Sequence, residues 1–235
     1  MNQQLVGIEI LSLDIWMTLI KPHQLHKQER AKALRAHLKA DSIPMEEFLS
    51  IMSRADAMID DKSDQNGVQY GLRERMEAVM QMIPQGCSIT TLTDDDVERF
   101  DKISERLITV CLPVLLEGDL ISTLKKIAEE GIKIAVVSNT GFINGVHMRT
   151  ALEILGLSAY ISFFVFSNEV GASKPNPKMF NKLSDMAGVD PSKVLHIGDN
   201  QKADVNGAAK AGMNSLLYDP EGKTANGIAS LKSLL

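Results

Sequence analysis

The sequence predicts an α/β fold: a doubly wound parallel sheet that carries a second, smaller domain built only of helices. Three patterns indicate this fold. The chain begins with a short apolar run that ends at Asp14, and apolar residues then recur at helical spacing from Lys21 to Pro113. From Asp119 onward, strand-like runs alternate with helical segments. Because this alternation is typical of parallel sheets, the first run and the second half of the chain are expected to share one sheet.

Each predicted element follows from a local pattern. The first strand covers residues 5–13, whose mostly apolar character suits a strand buried on both faces of a parallel sheet. Four helices follow, over Gln24 to Lys39, Met45 to Ile59, Leu72 to Met82 and Thr93 to Leu112. The remaining helices are Leu120 to Glu130, Gly145 to Leu155, Pro177 to Ala187 and Asp204 to Ala211, and the remaining strands are Ile132 to Val137, Phe163 to Phe166, Val194 to Ile197 and Asn214 to Tyr218. We therefore expect a sheet domain of residues 1–20 and 113–235 and a helical domain of residues 21–112.

Composition and charge exclude several classes of protein. The 235 residues include 25 Lys and Arg against 30 Asp and Glu, which gives a net charge of −5. A negative chain has no general attraction for nucleic acid or anionic membranes, so neither is expected as a partner. The longest apolar runs are far shorter than the roughly 20 residues that cross a membrane.

The two cysteines and the first residues indicate a cellular compartment. Cys87 and Cys111 have neither metal-site spacing nor the pattern of a secreted disulfide framework. The first residues do not resemble a secretion signal. We therefore expect a cytoplasmic protein, while the sequence leaves its oligomeric state open.

Polar residues follow four of the predicted strands. In chain order they are Asp14, Ser138, Lys174 and Asp199. In doubly wound sheets, ligands bind outside the carboxyl ends of the strands, where loops and helix N-termini meet. Each residue alone is typical of an ordinary loop, but four of them at one edge of a sheet indicate a functional site.

The fourth of these strand ends carries two carboxylates, Asp199 and Asp204, with Gly198 before the first. Together with Asp14 they offer the oxygen ligands that Mg²⁺ prefers, with water and substrate phosphate completing the octahedral shell. The alternative is an Asp-Asn turn followed by a helix that Asp204 caps. The spacing therefore predicts a magnesium site or, more simply, a turn.

Taken together, these stretches resemble the haloacid dehalogenase-like hydrolase superfamily, in which four such motifs recur in this order. The motifs that carry the resemblance are Asp14 to Leu19, Val137 to Gly141, Lys174 to Pro177 with Phe180 following, and Gly198-Asp199 with Asp204. The resemblance covers residues 1–20 and about 113–235 and implies a Rossmann-like core. The helical residues 21–112 look like the C1-type cap domain of that superfamily.

The resemblance implies a phosphatase-type hydrolase that acts on a small phosphorylated metabolite through an aspartyl-phosphate intermediate. Asp14 would be the nucleophile, and Ser138 and Lys174 would be further catalytic residues. The implied phosphate-binding residues are Thr18, Ser138, Asn139 and Lys174. The implied cofactor is Mg²⁺, with Asp14, Asp199, Asp204 and the backbone carbonyl of Trp16 at the metal site. Asp204 would act there through water or through its neighbours.

The sequence departs from the superfamily pattern at Trp16. Phosphatases of this superfamily have a second Asp at this position, which protonates the leaving alcohol and later activates water. An indole N–H donates a hydrogen bond but does not titrate near neutrality, so it cannot replace this acid. His23 and His26 are substitutes by position, although solvated surface histidines are the more ordinary interpretation. We expect Trp16 to project toward the helical domain.

Three other functions stay open at this point. Dehalogenases of the superfamily also have an aromatic residue at this position, but they generally lack the metal motif formed here by Gly198 and Asp199. Phosphonate-cleaving members keep the metal with a non-acidic residue there. A catalytically weak regulatory or binding protein would keep the pocket without turnover, although such a protein would not need the charged residues Asp14 and Lys174.

Overall fold

Six strands form one parallel sheet in the described part of the chain, residues 3–224 and 227–235 of a computed structural model. They are β1 (Ile10–Leu13), β4 (Lys133–Ser138), β5 (Ile161–Phe166), β6 (Val194–Gly198), β7 (Asn214–Tyr218) and β8 (Gly227–Ile228), while β2 (Ile20–Lys21) and β3 (Val114–Leu115) form a separate antiparallel pair. The order across the sheet is β5-β4-β1-β6-β7-β8, and every neighbouring pair is parallel. The predicted doubly wound α/β fold is confirmed, and residues 1–2 and 225–226 of the predicted sheet domain lie outside the described residues.

The central strand β1 is buried along its whole length. Leu11 and Leu13 pack into the apolar cluster on one face of the sheet, and Ile10 packs into the cluster on the other face. The strand begins later than predicted. Gly7 has a φ of +79°, in the left-handed region, so the chain between residues 5 and 9 turns instead of extending.

Four helices between β2 and β3 form what we call the helical region. They are α1 (His26–His37), α2 (Met45–Asn66), α3 (Leu72–Met82) and α4 (Asp94–Val110). Their shared apolar cluster includes Phe48, Met52, Met76 and Phe100 and is separate from the two clusters that flank the sheet. The helical spacing of the sequence thus produces a second apolar core.

Helix α2 is longer than its apolar pattern predicts. The pattern ends at Ile59, but the helix continues through the polar residues 60–66. It ends at Gly67, which has a φ of +65° and donates its N–H to the Ser63 carbonyl at 2.7 Å. A polar last turn carries no hydrophobic periodicity, so the sequence could not mark it as helix.

Helices on both faces cover the sheet and connect its strands. They are α5 (Leu120–Glu129), α6 (Gly145–Ile154), α7 (Ser167–Val170), α8 (Pro177–Ala187) and α9 (Gly207–Lys210). Among the helices of the described residues, none combines the length and the apolar character that crossing a membrane requires.

The strand order reverses at β1, which has β4 on one side and β6 on the other. Chain connections leave this point in opposite directions, so a crevice opens at the carboxyl ends of the three strands. Asp14, Ser138 and Asp199 lie at these three ends. The fold therefore brings together residues that are far apart in the sequence.

Candidate active site

The loop after β1 holds Asp14 at the crevice. Its backbone N–H donates to the Ile197 carbonyl at 2.9 Å, which ties the loop to β6. The chain then turns tightly: Met17 has a φ of +57°, and the N–H of Leu19 donates to the Ile15 carbonyl at 2.9 Å. The Asp14 side chain is held below the surface and is mostly buried.

Lys174 is the cation next to Asp14 and is almost fully buried, with 2% of its surface exposed. Its ammonium donates to Asp14 Oδ1 at 2.7 Å, to Asp204 Oδ1 at 2.5 Å and to the Val137 carbonyl at 2.8 Å. All three ammonium protons are therefore used. One positive charge therefore holds both Asp14 and Asp204.

Asp204 lies in a π-helical turn, Gln201–Asn206, directly after the β6 loop. Its Oδ1 also contacts His196 Nε2 at 3.1 Å, and its Oδ2 accepts from the Asn200 backbone N–H at 3.0 Å. Gly198 permits this position, because a Cβ there would lie 2.2 Å from Asp204 Cγ. Protein donors occupy both carboxylate oxygens, which suits a positioning role better than a direct ligand role.

His196 is a buried partner that the sequence reasoning missed. It is fully buried within β6, and its other ring nitrogen, Nδ1, lies 2.8 Å from Ser12 Oγ on β1. Burial lowers the pKa of His196. The available signal was a single polar residue inside the apolar run Val194 to Ile197.

The pKa values of the three buried charges follow from their partners. Burial alone would lower the pKa of Lys174, but Asp14 and Asp204 raise it above its ordinary value. Burial raises the pKa of Asp14, and the Lys174 ammonium opposes this rise only in part. Burial would also raise the pKa of Asp204, but the charge of Lys174 and the His196 hydrogen bond hold it below its usual range. Lys174 thus stays protonated and Asp204 ionised at neutral pH.

Asp199 completes an acidic cluster with these residues. Oxygens of Asp14, Asp199 and Asp204 all lie within 4.8 Å of one another. Desolvation, followed by the charges of Asp14 and Asp204, raises the pKa of Asp199 to about 7, although its side chain reaches the surface. Carboxylates crowded in this way repel each other unless a cation offsets their charge.

The donor set of this cluster fits a hard divalent cation such as Mg²⁺. Carboxylate and carbonyl oxygens are the ligands that Mg²⁺ takes in proteins, usually as one or two carboxylates with water and phosphate. Asp14 and Asp199 lie at neighbouring strand ends and meet this description. The sequence left open whether Asp199 and Asp204 belong to a metal site or to a turn. In the structure, both lie close to Asp14.

The other predicted site residues occupy different positions. Ser138 is the last residue of β4, is buried and lines the cavity above Asp14. Asn139 also lines the cavity, but its side-chain amide binds the backbone of Lys174. Its Oδ1 accepts from the Lys174 N–H at 2.7 Å, and its Nδ2 donates to the Lys174 carbonyl at 3.0 Å. Thr18 is fully buried, and within residues 3–224 and 227–235 its Oγ1 has no hydrogen-bond partner.

The catalytic cavity, as we call the space above Asp14, has a volume of about 310 Å³. The sheet side contributes Asp14, Trp16, Ser138, Lys174 and Asp199. The helical region contributes Asp60, Ser63, Asp64 and Arg75, none of which the sequence indicated. Positions 60, 63 and 64 lie at helical spacing, which gives α2 a polar face over the cavity. The sequence shows this spacing, but it does not show which part of the protein the polar face covers.

Four contacts close the helical region over the cavity. Asn200 Nδ2 donates to Asp64 Oδ2 at 3.0 Å, the Ser173 N–H donates to the Gly67 carbonyl at 2.9 Å, and Ser173 Oγ donates to Gln69 Oε1 at 2.8 Å. Gln69 Nε2 also donates to the Thr140 carbonyl at 3.3 Å. The end of α2 and the residues after it thus touch three of the loops that form the crevice.

Trp16 lies where the catalytic cavity meets a second cavity of about 380 Å³, and it lines both. His26 lines the second cavity and is mostly buried, so its expected place on a solvated surface is wrong. Burial, the Arg30 charge and His23 lower the pKa of His26 to about 4. It is neutral at pH 7 and does not supply the acid missing at position 16. His23 is half-buried.

Comparison with known proteins agrees with the fold and the motifs. A sequence profile described as haloacid dehalogenase-like hydrolase matches residues 8–212. The mouse haloacid dehalogenase-like hydrolase domain-containing protein 3 is 28% identical over 219 residues, covering 89% of this chain and 81% of that protein. Glyceraldehyde 3-phosphate phosphatase from Methanopyrus kandleri is 36% identical over 95 residues, 40% of each chain. The crystal structure of a HAD phosphatase from Thermococcus onnurineus superposes with a TM-score of 0.63 at 20% identity, covering 97% of this chain and 96% of that chain.

Proposed function

Because the chain belongs to the haloacid dehalogenase-like hydrolase family, we propose that it is a Mg²⁺-dependent phosphatase that hydrolyses small phosphorylated metabolites. One observation carries the proposal. Asp14 lies in a cavity with its carboxylate bound to the Lys174 ammonium at 2.7 Å and within 4.8 Å of the oxygens of Asp199 and Asp204. A nucleophile, a cation and a hard-metal donor set therefore share one small space.

In the first step, an oxygen of Asp14 would form a bond to phosphorus while the bond from phosphorus to the leaving alkoxide breaks. Lys174 keeps the Asp14 carboxylate oriented and offsets part of the negative charge that the phosphate brings. The Ser138 hydroxyl would donate to a phosphoryl oxygen. The alkoxide would take its proton from water, since Trp16 cannot supply one.

In the second step, water would attack phosphorus, the aspartyl-phosphate bond would break, and phosphate would leave with Asp14 again a carboxylate. When bound, Mg²⁺ would neutralise charge on the phosphoryl oxygens, held by Asp14, Asp199 and the Trp16 carbonyl. Asp204, fixed by Lys174 and the Asn200 N–H, would keep this arrangement in place.

The helical region would act as the cap that covers the substrate. Its boundaries in this proposal are residues 21–112, with residues 1–20 and 113–235 as the catalytic core. The contacts of Asp64 and Gly67 with the crevice loops support a closed position in which the helical region covers the substrate.

A phosphatase is favoured over a dehalogenase by the acidic cluster. A dehalogenase displaces a halide ion from carbon and needs no divalent cation, whereas three crowded carboxylates are costly without one. A binding protein without turnover is disfavoured for a similar reason, because Lys174 and Asp14 are buried charges that packing does not require. Glyceraldehyde 3-phosphate phosphatase, a partial relative, supports a small phosphorylated substrate.

The test is phosphate release from a panel of phosphorylated metabolites with and without Mg²⁺. We expect release only with the metal, and we expect Asp14→Asn to lower it by about 10³-fold or more, because an amide is a far poorer nucleophile. The matched control is Asp185→Asn, an exposed aspartate on α8, which should keep full activity.

Three results would count against the proposal. Release that persists in purified Asp14→Asn would identify another nucleophile. Release that is unaffected by removal of the metal would contradict the role of Mg²⁺. Halide release from haloacids, with none of the phosphates hydrolysed, would favour the dehalogenase.

A further inference from the structure

His196 is a buried polar group that the proposed reaction does not use. It lies within β6, is fully buried, and is not among the residues that line the catalytic cavity. Burying a polar ring is costly unless its nitrogens are hydrogen-bonded, and an apolar side chain would fill a strand position without this cost. The role of His196 therefore follows from the partners of its two ring nitrogens.

The first nitrogen, Nδ1, faces the central strand. Ser12 on β1 is the direct partner of His196 in the parallel register of β1 and β6, so the two side chains project from the same face of the sheet. Ser12 Oγ lies 2.8 Å from Nδ1, and Ser12 is fully buried too. The Phe180 ring is nearly perpendicular to the imidazole, at 80°, with 5.1 Å between the ring centres. Ser12 and Phe180 thus fix the position and the plane of the ring.

The second nitrogen, Nε2, faces the charged part of the site. It lies 3.1 Å from Asp204 Oδ1. Because Asp204 is ionised and a carboxylate only accepts hydrogen bonds, Nε2 carries a proton and donates it to this contact. Nδ1 is then the unprotonated nitrogen of a neutral ring, and the Ser12 hydroxyl donates to it. The hydrogen bonds run in one direction, from Ser12 through His196 to Asp204.

Asp204 Oδ1 is also the oxygen that holds Lys174. The Lys174 ammonium donates to it at 2.5 Å and to Asp14 Oδ1 at 2.7 Å. Two carboxylates therefore compete for one cation. A hydrogen bond from His196 takes up part of the negative charge on Asp204 Oδ1, which weakens the attraction of Asp204 for the ammonium. Without that donor, Asp204 would draw Lys174 away from Asp14.

We infer that His196 is a positioning residue for the reaction: by donating to Asp204, it keeps the Lys174 ammonium shared with Asp14. The inference rests on the proposed function, since it assigns a role in the reaction that Asp14 would perform. His196 itself touches neither the substrate nor the reacting atoms. It acts through Asp204 and Lys174, and Ser12 sets which of its nitrogens donates.

The test replaces His196 with each of the two amides. Glutamine places its amide nitrogen near the position of Nε2, so His196→Gln keeps a donor to Asp204. Asparagine reaches only the position of Nδ1, so His196→Asn keeps a partner for Ser12 but loses the donor to Asp204. Both variants remove the same ring and differ in the one hydrogen bond that the inference names. Each is therefore the matched control of the other.

Phosphate release from para-nitrophenyl phosphate is measured at saturating Mg²⁺. We expect His196→Asn to lower kcat by about tenfold or more, because it removes a hydrogen bond to a charged group. KM for the ester should stay within about twofold, since His196 does not line the cavity in which the ester would bind. His196→Gln should keep kcat within about threefold of the unmutated protein. Urea denaturation shows whether both variants are folded under the assay conditions.

The spectroscopic signature of the hydrogen bond is the proton on Nε2. NMR of the isotopically labelled ring nitrogens distinguishes protonated from unprotonated nitrogens, and the chain has five histidines. The signals that disappear in His196→Gln belong to His196, and we expect a protonated Nε2 in the unmutated protein. This measurement needs no turnover, so it decides whether Nε2 donates even if His196→Asn fails to fold.

A merely structural histidine would lower the stability of both variants and leave kcat of the folded protein unchanged. Full kcat in folded His196→Asn, an equal fall of kcat in both variants, or an unprotonated Nε2 would each overturn the inference. Failure of the proposed function gives a different result, because the unmutated protein with Mg²⁺ would then release no phosphate from the ester. The ring spectrum would in that case decide alone whether His196 holds Asp204.

Discussion

Trp16 lies two residues after Asp14, the proposed nucleophile, at the meeting point of the two cavities. Its indole presents bulk and one N–H donor but no proton that leaves near neutral pH. The departure of an alkoxide from phosphorus is then limited by how well that alkoxide carries negative charge. A general acid in this place typically contributes about 10² to 10⁴-fold to the rate.

Rates on a series of aryl and alkyl phosphates should therefore rise steeply as the leaving group becomes more acidic. Trp16→Asp should accelerate the alkyl esters by about tenfold or more, because it restores a titratable group beside the leaving oxygen. It should change aryl esters with acidic leaving groups little. Steady-state kcat values across the series give the measurement.

Trp16→Asn is the control for this prediction, since asparagine opens the same space without a proton to give. An equal gain in the Asn and Asp variants would show that bulk, and not acidity, limits the rate. A flat dependence on leaving-group acidity in the unmutated protein would mean that another acid already serves.

At the scale of elements, the turn after β6 shows how backbone shape places a carboxylate. Gly198 ends the strand, and the π-helical turn that follows brings Asp204 back against it. Asp204 Oδ2 would lie 2.2 Å from a Cβ at position 198. The glycine is needed here for close packing and not for an unusual φ.

Gly198→Ala should displace Asp204 and so loosen the Lys174 ammonium that Asp204 shares with Asp14. We expect a loss of about 1 to 3 kcal/mol in the free energy of unfolding, which is typical of overpacking, together with a large fall in kcat. Urea denaturation and phosphate release measure the two effects.

Gly118→Ala provides the comparison, because a Cβ at Gly118 would meet no atom within 4 Å. It should leave both stability and activity close to those of the unmutated protein. Full activity in Gly198→Ala would show that Asp204 is not needed where the structure has it.

Elements with clear periodicity and clear end signals were predicted almost to the residue. Helix α3 was predicted at Leu72 to Met82, and α8 was predicted at Pro177 to Ala187; both agree with the structure. Other boundaries depend on features that hydrophobic patterns do not carry. The left-handed Gly7 delays β1, and the polar last turn of α2 extends that helix to Asn66.

The site was predictable in part for a similar reason. Residues at strand ends follow from the sheet, because parallel strands bring their carboxyl ends to one edge. Asp14, Ser138 and Asp199 could be found in this way. Asp64 and Arg75 could not, because their place depends on how the helical region packs over the sheet, and no local pattern encodes that orientation.

At the scale of the whole molecule, Gly67 is a point of close approach between the helical region and the sheet domain. A Cβ on Gly67 would lie 2.8 Å from Asn176 Cβ and 3.2 Å from the Ser173 carbonyl oxygen. The Gly67 carbonyl itself accepts from the Ser173 N–H, and Asp64, three residues earlier, accepts from Asn200. Closure therefore depends on a position where no side chain fits.

Gly67→Ala should favour an open arrangement of the two parts. We expect a larger radius of gyration in small-angle X-ray scattering and a lower kcat/KM, because the polar face of α2 would move away from the cavity. The contrary result would be an unchanged radius with full activity.

Gly86→Ala separates this effect from backbone strain. Gly86 also has a left-handed φ, +81°, but a Cβ there would meet nothing within 4 Å. Both variants carry the cost of an alanine in the left-handed region, about 1 to 2 kcal/mol. Only Gly67→Ala should change the scattering profile.

The helical region begins and ends at the paired strands β2 and β3. Ile20 pairs with Leu115 and Lys21 with Val114, so the chain departs and returns at neighbouring points. A short hairpin turn would bridge this gap, since paired antiparallel residues lie only about 5 Å apart. Grafting the corresponding segment of a relative at these two positions should thus replace the helical region while leaving the register of the central sheet intact.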